Sequence, residues 1–270
     1  MTRSMEINST QNQRVKDAAR LREKRGRRTQ SRFIIDGGRE ILRAIKSGWE
    51  IDELFVCSDW CEREDRQEIL QQLGEISQRI DVSTDVMEKL SFGQRQEGIV
   101  ATAQYKQISS ITDLAASCTL VAVLEGIEKP GNLGALMRSA DATGVDAIIL
   151  ADAHTDIFNP NAIRASAGTV FSVPIYSGTS IEVLNELERR SFQILATQLT
   201  ASVTYSDADL TNPTAIALGA EATGLSDVWS DERVTSIKLP MHGIADSLNV
   251  SATATVLFYE ALRQRSHLTT

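Results

Sequence analysis

Residues 124 to 144 read LEGIEKPGNLGALMRSADATG, which predicts an apolar strand, a turn and a helix. Pro130 and Gly131 favour the turn, Asn132 is a good N-cap residue, and Gly144 suits the end of the helix. Four apolar side chains recur between them at helical spacing: Leu133, Leu136, Met137 and Ala140. This helix is predicted to pack on a sheet through that apolar face.

Arg138 lies on the same helix but off its apolar face. It is close to the helix N-terminus, where exposed amides and the helix dipole favour an anion. Taken alone, an arginine at such a position is explained more simply by a surface ion pair. A dinucleotide-binding loop is disfavoured, because the pattern G-x-G-x-x-G is absent.

This stretch belongs to a longer alternation of strands and helices that begins at Thr119. The apolar strands are predicted at TLVAVLEG, AIILA, SVPIY, QILATQL, TAIALGAE and SIKLP. The helices are predicted at Leu133–Ala142, Asn161–Ala167, Ile181–Arg190 and Leu248–Arg265. Because the strands are β-branched and almost continuously apolar, they fit a parallel sheet that is covered on both faces. A nucleotide-sized ligand would bind at the carboxyl ends of such strands.

A smaller α/β domain is predicted ahead of it, in residues 32–105. Its segments read alternately as strand and helix, from the first strand to the last: RFIID, GREILRAIKSG, IDELFVC, RQEILQQLGEI, RIDVS, TDVMEKL and GIVATA. Residues 106–118 are polar without a clear period, which indicates a linker. The larger α/β domain is assigned residues 119–270, and a basic N-terminal arm residues 1–31.

The charge of the chain is distributed unevenly. The net charge is −8, but residues 1–32 hold ten Lys or Arg against three acidic residues, a net +7 that leaves −15 on the remainder. A basic segment on an acidic protein is typical of contact with RNA along one surface. A solvated tail explains it equally well. Under the first interpretation, Arg25, Arg27 and Arg28 bind RNA phosphates.

Two further segments carry candidate site residues. LGAEATGLSD, residues 218–227, places two glycines around Glu221 after a buried strand, and either a close ligand or a plain turn explains those glycines. LPMHGIADSLNVSATATVLFYEALRQR, residues 239–265, has Ser247 and Asn249 ahead of a long helix. Taken alone, Ser247 is explained as the cap of that helix.

Together, in this order and spacing, the three segments resemble the three motifs of the SpoU (TrmH-like) family of RNA ribose 2′-O-methyltransferases, within the SPOUT superfamily. The patterns are N-x-G-x-x-x-R-x-A-x-A-x-G at 132–144, G-x-E-x-x-G-L at 219–225 and P-M-x-x-x-x-x-S-L-N-V-S at 240–251. The N-terminal part, with FIIDGGREILRAI, is similar to the substrate-binding domain that many members carry, which is akin to a ribosomal-protein fold.

The resemblance implies a parallel sheet whose C-terminal segment threads a loop to form a deep trefoil knot, an exception to the usual topology rules. It also implies that S-adenosylmethionine is gripped mainly by backbone groups of the knot loops at Gly219, Leu239 and Leu248, with Leu218 and Met241 beside them. Small or apolar side chains suit such a grip. The family pattern further implies a homodimer with the long C-terminal helix at its interface.

The resemblance assigns Arg138 to the methyl-transfer step. A guanidinium keeps its proton up to about pH 12 and is a poor base. Binding the neighbouring phosphate and stabilising the developing alkoxide are therefore its expected main roles, with proton removal second. The remaining polar positions of the family motifs are expected to orient the ribose, Arg138 and the knot loops: Asn132, Glu221, Ser247 and Asn249.

Ribosomal RNA, and large-subunit RNA in particular, is expected as the substrate rather than tRNA, because the added N-terminal domain is more typical of ribosomal-RNA members. One alternative is a non-catalytic RNA-binding or assembly factor on the same fold, but the intact set of polar motif residues speaks against it. Another is a Rossmann-type methyltransferase, which should carry its glycine-rich loop after the first strand.

The sequence indicates neither a metal site nor a membrane-spanning segment. Cys57, Cys61 and Cys118 form neither a disulfide framework nor a complete zinc site. The three histidines are scattered and suggest neither a metal cluster nor a Ser-His-Asp triad: His154, His242 and His267. No apolar run approaches the roughly 20 residues that span a bilayer. A cytoplasmic protein with reduced thiols and no bound metal is therefore expected.

Overall fold

The computed structural model describes residues 5–61, 64–73, 79–92, 96–152 and 155–266. His154 and His267 lie outside the described residues. Contacts divide the chain into two compact units: unit 1 is Met1–Lys106 with Asp156–Ser172, and unit 2 is Gln107–Thr155 with Val173–Thr270.

The elements of both units are numbered along the chain. The strands are β1 (Met5–Ile7), β2 (Arg32–Asp36), β3 (Ile51–Val56), β4 (Arg79–Val82), β5 (Ile99–Gln104), β6 (Ser109–Ser110), β7 (Leu120–Glu125), β8 (Ala147–Ala151), β9 (Ile175–Gly178), β10 (Gln193–Thr197), β11 (Val203–Thr204), β12 (Thr214–Leu218) and β13 (Val234–Lys238). The helices are α1 (Gln13–Arg20), α2 (Lys24–Gln30), α3 (Gly38–Lys46), α4 (Glu64–Leu73), α5 (Thr84–Leu90), α6 (Pro130–Thr143), α7 (Pro160–Ala165), α8 (Ser180–Arg189) and α9 (Val250–Ser266).

The sheet of unit 2 is parallel at every strand pair that the structure describes, in the order β11-β13-β10-β12-β7-β8-β9-β6. Its central strand β7 is buried along its whole length, and Ala122 pairs with Ile216 on one side and Ile148 on the other. The predicted α/β class with a parallel sheet is confirmed. Because the strands run the same way, the segments that follow β7, β12, β10 and β13 emerge at one edge of the sheet.

The sheet of unit 1 is mixed, in the order β1-β4-β3-β5-β2, with β5 antiparallel to both of its neighbours. Each segment predicted between residues 32 and 105 forms the predicted type of element, from β2 to β5. The sequence pattern is sufficient for this result, because buried strands and amphipathic helices differ in the spacing of their apolar residues.

The first 31 residues differ from the predicted arm. Within the described part of this segment, β1 pairs in parallel with β4, aligning Met5 with Ile80. Val15, Ala18 and Leu21 are buried in the core of unit 1. The basic residues of this segment therefore lie on a folded part of unit 1. The few apolar side chains between them pack into its core and hold α1 and α2 in place.

The predicted boundaries after residue 105 also differ from the division by contacts. Residues 156–172 belong to unit 1, where Phe158 and Phe171 stack on Phe33 with ring centroids 4.5 and 5.9 Å away. Of the predicted linker, residues 107–118 belong to unit 2, where β6 pairs with β9 and Ile111 is buried. A contiguous sequence pattern does not reveal which core a segment joins.

Among the described residues, none of the helices has both the length and the apolar character needed to cross a bilayer. That same part of the chain brings no three His, Cys, Asp or Glu side chains together in a way that could hold a metal ion. The three cysteines are free thiols.

Candidate active site

A cavity of about 560 Å³ lies in unit 2 at the carboxyl ends of β10, β12 and β13. Its walls come from the residues that follow these strands and from the start of α9. All five residues predicted to surround the cofactor line it: Leu218, Gly219, Leu239, Met241 and Leu248. The cavity is thus enclosed by segments that are far apart in sequence, and the parallel sheet brings them together.

The loop after β12 folds tightly back on itself. Ala220 and Gly224 form an isolated antiparallel bridge, and Gly224 has a φ of +69°, in the left-handed region that favours glycine. A Cβ atom on Gly219 would lie 2.3 Å from the carbonyl carbon of Gly224. The close approach that requires Gly219 is therefore made by the loop's own backbone, whatever ligand binds beside it.

Glu221, in the second motif segment, accepts hydrogen bonds from side chains of the first and the third. Its Oε1 accepts hydrogen bonds from the side-chain amides of Asn132 and of Asn249, the latter at 3.0 Å, and its Oε2 pairs with the ammonium of Lys129. The Asn249 amide also lies 3.2 Å from Oδ1 of Asn132. Three of the five predicted catalytic residues thus form one hydrogen-bonded cluster, in which the carboxylate orients both amides.

The caps of the two flanking helices differ from the prediction. Helix α6 starts at Pro130 with Lys129 as its N-cap residue, so the prediction of Asn132 as the cap is wrong. Its first-turn position frees the Asn132 side chain to reach Glu221. Ahead of α9, Asn249 Oδ1 accepts the Ser251 N–H at 3.0 Å, which makes Asn249, and not Ser247, the capping side chain.

Arg138 and Ser247 stand apart from this cluster. Arg138 is exposed on α6 and forms no hydrogen bond or ion pair with any residue that the structure describes, so the simple surface ion pair is not observed. Ser247 lies in the exposed segment 242–249 and lines the cavity. Both side chains are accessible to a ligand from solvent.

Lys129 was not singled out from the sequence. It lines a smaller cavity of about 130 Å³, which shares residues 220–223 with the larger one and also contacts Asn132. The available signal was electrostatic: a lysine at a helix N-terminus opposes the helix dipole. Such a placement indicates a compensating anion, and Glu221 is that anion.

Glu125 anchors the loop that carries Glu221. This buried carboxylate ends β7 and accepts hydrogen bonds from Ser180, from the Ser226 backbone at 2.6 Å and hydroxyl at 2.8 Å, and from Trp229 at 3.0 Å. Burial by itself raises the pKa of Glu125, but these hydrogen bonds outweigh it and the pKa is lowered. An ionised Glu125 therefore fixes the end of the 219–226 loop against the sheet.

The three arginines predicted to bind RNA have different surroundings in unit 1. Arg25 and Arg28 are exposed on α2. Arg27 is 1% exposed, pairs with Asp156 at 2.7 Å, and donates to the carbonyls of Leu21 and Arg22. The prediction that Arg27 contacts RNA phosphates is corrected, because its guanidinium is already saturated inside the unit.

Comparison with known proteins agrees with this geometry. Residues 119–259 match the model of the SpoU rRNA methylase family, and residues 12–101 match that of the MRM3-like substrate binding domain. A 23S rRNA (guanosine(2553)-2′-O)-methyltransferase of Bacillus subtilis is 27% identical, with 94% of this chain and 98% of that protein covered.

Two solved structures extend the likeness to the whole chain. An RNA 2′-O ribose methyltransferase is 38% identical with a TM-score of 0.82, covering 97% of this chain and 100% of that one. An AdoMet-bound rRNA methyltransferase from Sinorhizobium meliloti is 26% identical with a TM-score of 0.85, covering 99% of each. The predicted enzyme class, RNA 2′-O-ribose methyltransferase, is confirmed. The chain belongs to the SpoU rRNA methylase family.

Proposed function

We propose that this chain transfers the methyl group of S-adenosylmethionine to a ribose 2′-hydroxyl of ribosomal RNA, with large-subunit RNA as the favoured substrate. The observation that carries the proposal is the cavity of about 560 Å³ directly beside the Asn132–Glu221–Asn249 cluster. The relative from Bacillus subtilis that acts on 23S rRNA supports the choice of substrate.

The cavity residues suit S-adenosylmethionine. The volume falls within the roughly 300–1,000 Å³ of ordinary ligand pockets. Leu218, Leu239 and Leu248 offer apolar walls, while the backbone groups of the loops that bear them can recognise a purine edge. The structure of the Sinorhizobium meliloti relative is described as AdoMet-bound, which supports this choice of cofactor.

When bound, the cofactor supplies an activated methyl group on a sulfonium, so the new bond to the ribose oxygen forms as the bond from carbon to sulfur breaks. This chain must align the hydroxyl and dispose of its proton. Alignment can contribute about 7–11 kcal/mol, whereas a positioned base contributes a factor of about 10²–10⁴. Because alignment is the larger of the two effects, residues that orient the ribose hydroxyl matter most. The amides of Asn132 and Asn249 suit this role, since Glu221 holds both in place.

Arg138 acts on the RNA in this scheme. Because it is exposed and has no partner among the described residues, its guanidinium is free to bind a backbone phosphate next to the acceptor ribose. The same charge stabilises the oxygen as it loses its proton. Ser247, exposed at the cavity, contributes a hydroxyl that orients the ribose.

RNA binding outside the acceptor nucleotide is assigned to unit 1, with Arg25 and Arg28 on the exposed side of α2. The working form is a cytoplasmic homodimer that pairs through α9. The trefoil knot of the family is proposed for unit 2 as well.

The direct test is methylation of total RNA, containing both ribosomal RNA and tRNA, from cells that lack the protein, with labelled S-adenosylmethionine, followed by mapping of alkali-resistant 2′-O-methyl linkages. We expect label in the large-subunit RNA at a ribose oxygen. Label on a base, or label confined to tRNA, contradicts the proposal.

A further inference from the structure

Lys238 is a cation in the cavity of unit 2 that lacks a counter-charge. Of the charged side chains that line the cavity, Glu221 is engaged by Lys129, Asn132 and Asn249. Lys238 is half-buried, yet its side-chain ammonium forms no hydrogen bond or ion pair within the part of the chain that the structure describes. Partial burial without a partner is unfavourable for an ammonium, which points to an anionic group on the ligand.

A second donor lies beside it on the neighbouring strand. Gln198 follows β10, lines the same cavity, and donates its backbone N–H to the Ile237 carbonyl at 3.0 Å. The Ser236 hydroxyl contacts Gln198 Oε1 at 3.1 Å. The amide nitrogen of Gln198 then has no hydrogen-bond partner among the described residues, so an ammonium and an amide NH₂ flank one end of the cavity.

This end is opposite to the Glu221 cluster. Lys238 ends β13 and Glu221 follows β12, and β10 separates the two strands. Two strand spacings amount to roughly 10 Å. The cavity therefore has a carboxylate at one side, next to the motif residues, and a cation with an amide donor at the other.

We propose that Lys238 and Gln198 form a subsite for the carboxylate of the amino-acid part of the cofactor. The inference rests on the proposed use of S-adenosylmethionine, in which the carboxylate is the single anionic group. An ammonium and an amide donor together suit a carboxylate, since charge-assisted hydrogen bonds are the stronger kind. The subsite thus selects for the amino-acid tail, while the apolar loops hold the adenosine.

The test compares two neutral-sulfur ligands that differ only in that tail. S-adenosylhomocysteine carries the amino-acid group, and 5′-methylthioadenosine lacks it. Binding of both is measured by calorimetry on the full chain, in competition format for the weaker ligand. Lys238→Met should weaken S-adenosylhomocysteine about tenfold, or ~1.4 kcal/mol, and leave 5′-methylthioadenosine within about twofold.

Two further variants sharpen the comparison. Lys238→Arg keeps the charge and should retain most of the affinity for S-adenosylhomocysteine. Lys46→Met changes an exposed lysine of α3 in unit 1 and should alter neither ligand.

Equal weakening of both ligands by Lys238→Met, or no weakening of either, overturns the carboxylate subsite while the proposed function stands. A wild-type chain that binds neither S-adenosylmethionine nor S-adenosylhomocysteine overturns the proposed function, and the subsite with it.

Discussion

At the scale of single residues, the three motif segments meet through side chains whose partners no sequence pattern specifies. The family resemblance identified Glu221, Asn132 and Asn249 as site residues, and the structure joins them by hydrogen bonds. It did not identify Lys129, because a motif preserves residue types without their contacts. The charge pattern that indicated Arg25, Arg27 and Arg28 did not separate buried Arg27 from the two exposed arginines beside it, because charge alone does not show burial.

Substitution of Arg138 should distinguish an effect on methyl transfer from an effect on cofactor binding. Arg138→Ala removes the charge and the donors, and Arg138→Lys replaces a planar fork with a point donor. Both should lower single-turnover methyl transfer by more than about 100-fold, with little recovery by lysine, while the affinity for S-adenosylmethionine changes by less than about tenfold. Transfer by Arg138→Ala at the wild-type rate would show that Arg138 is a surface residue without a role.

Asp36 makes stability depend on pH. Burial is the largest cause that raises the pKa of Asp36, and the pKa reaches about 6. The hydrogen bond from the Phe92 backbone is the next largest effect and lowers the pKa. Repulsion from Glu97 raises it further, while Arg164 and Arg22 lower it. The usual pKa is 3.8, so the folded state holds the proton more tightly and loses stability as pH rises from about 4 to about 6.

Asp36→Asn should therefore raise the free energy of unfolding by about 1–3 kcal/mol at pH 7 and by almost nothing at pH 4. Asparagine keeps an oxygen that accepts the Phe92 N–H. Thermal unfolding at both pH values measures the difference, with Asp85→Asn, an exposed aspartate, as the control. A gain of equal size at pH 4 and pH 7 would contradict the assignment to Asp36.

At the scale of elements, strands and amphipathic helices could be predicted because their apolar periods differ, and β2 to β5 and the main strands of unit 2 follow that pattern. Short elements could not. β6 and β11 have two residues each, and α1 contributes only Val15 and Ala18 to the core. Such segments are stabilised by the surface they pack on, which their own sequence does not show.

The tight conformation of the loop after β12 requires a glycine, without a side chain, at position 219. Gly219→Ala would place a Cβ 2.3 Å from the Gly224 carbonyl carbon and 2.4 Å from the Leu225 nitrogen, which are backbone atoms and cannot rotate away. We expect a loss of about 1–3 kcal/mol in stability and a fall of more than about tenfold in S-adenosylmethionine affinity.

The matched control is Gly131→Ala, whose new Cβ would have no neighbour within 4 Å in the first turn of α6. It should change stability by no more than about 0.5 kcal/mol. Calorimetry and thermal unfolding of both variants decide the matter: if Gly219→Ala behaves like Gly131→Ala, the tight loop is not required for binding.

Helix α2 carries two exposed arginines, Arg25 and Arg28, and one buried arginine, Arg27. Replacing Arg25 and Arg28 by Ala should weaken binding to all RNAs and reduce the slope of log affinity against log salt by about 0.7–0.9 per lost phosphate contact. Thermal stability should hardly change, because both side chains are exposed.

Arg27→Ala should do the reverse. It leaves Asp156 without its partner inside unit 1 and should cost about 3–5 kcal/mol of stability, with the salt slope of the folded protein unchanged. Filter binding over a salt series, beside thermal unfolding, tests both variants. An unchanged slope in the Arg25 and Arg28 double variant would show that α2 does not contact RNA.

At the scale of the whole molecule, the division into units could be predicted only in outline. The resemblance covers residues 119–259 as one family match, yet residues 156–172 within it pack into unit 1. Stacking of Phe158 on Phe33 is a long-range contact, and nothing in either local pattern encodes it. Which core a segment joins is decided by complementary surfaces, and these exist only once both surfaces have formed.

Helix α9 has one side buried in the unit and one side exposed to solvent. Ala254, Leu257 and Phe258 are buried, and the helix packs on α6 with a contact of 2.7 Å between the Thr255 and Ser139 hydroxyls. The opposite side carries large apolar groups in the open, with Tyr259 51% and Leu262 37% exposed. Such a stripe is expected at an isologous dimer interface, where two copies cover each other's apolar surface.

We therefore expect light scattering at micromolar concentration to give twice the chain mass of 29.6 kDa. Changing Tyr259 and Leu262 together to lysine places two like charges on each face of the contact, and the protein should become monomeric with its fold intact, because neither side chain is buried in the unit. Ile181→Lys is the matched control: it alters an apolar residue of α8 that is 50% exposed and should leave the dimer in place. A monomeric wild type, or a double variant that still dimerises, would remove α9 from the interface.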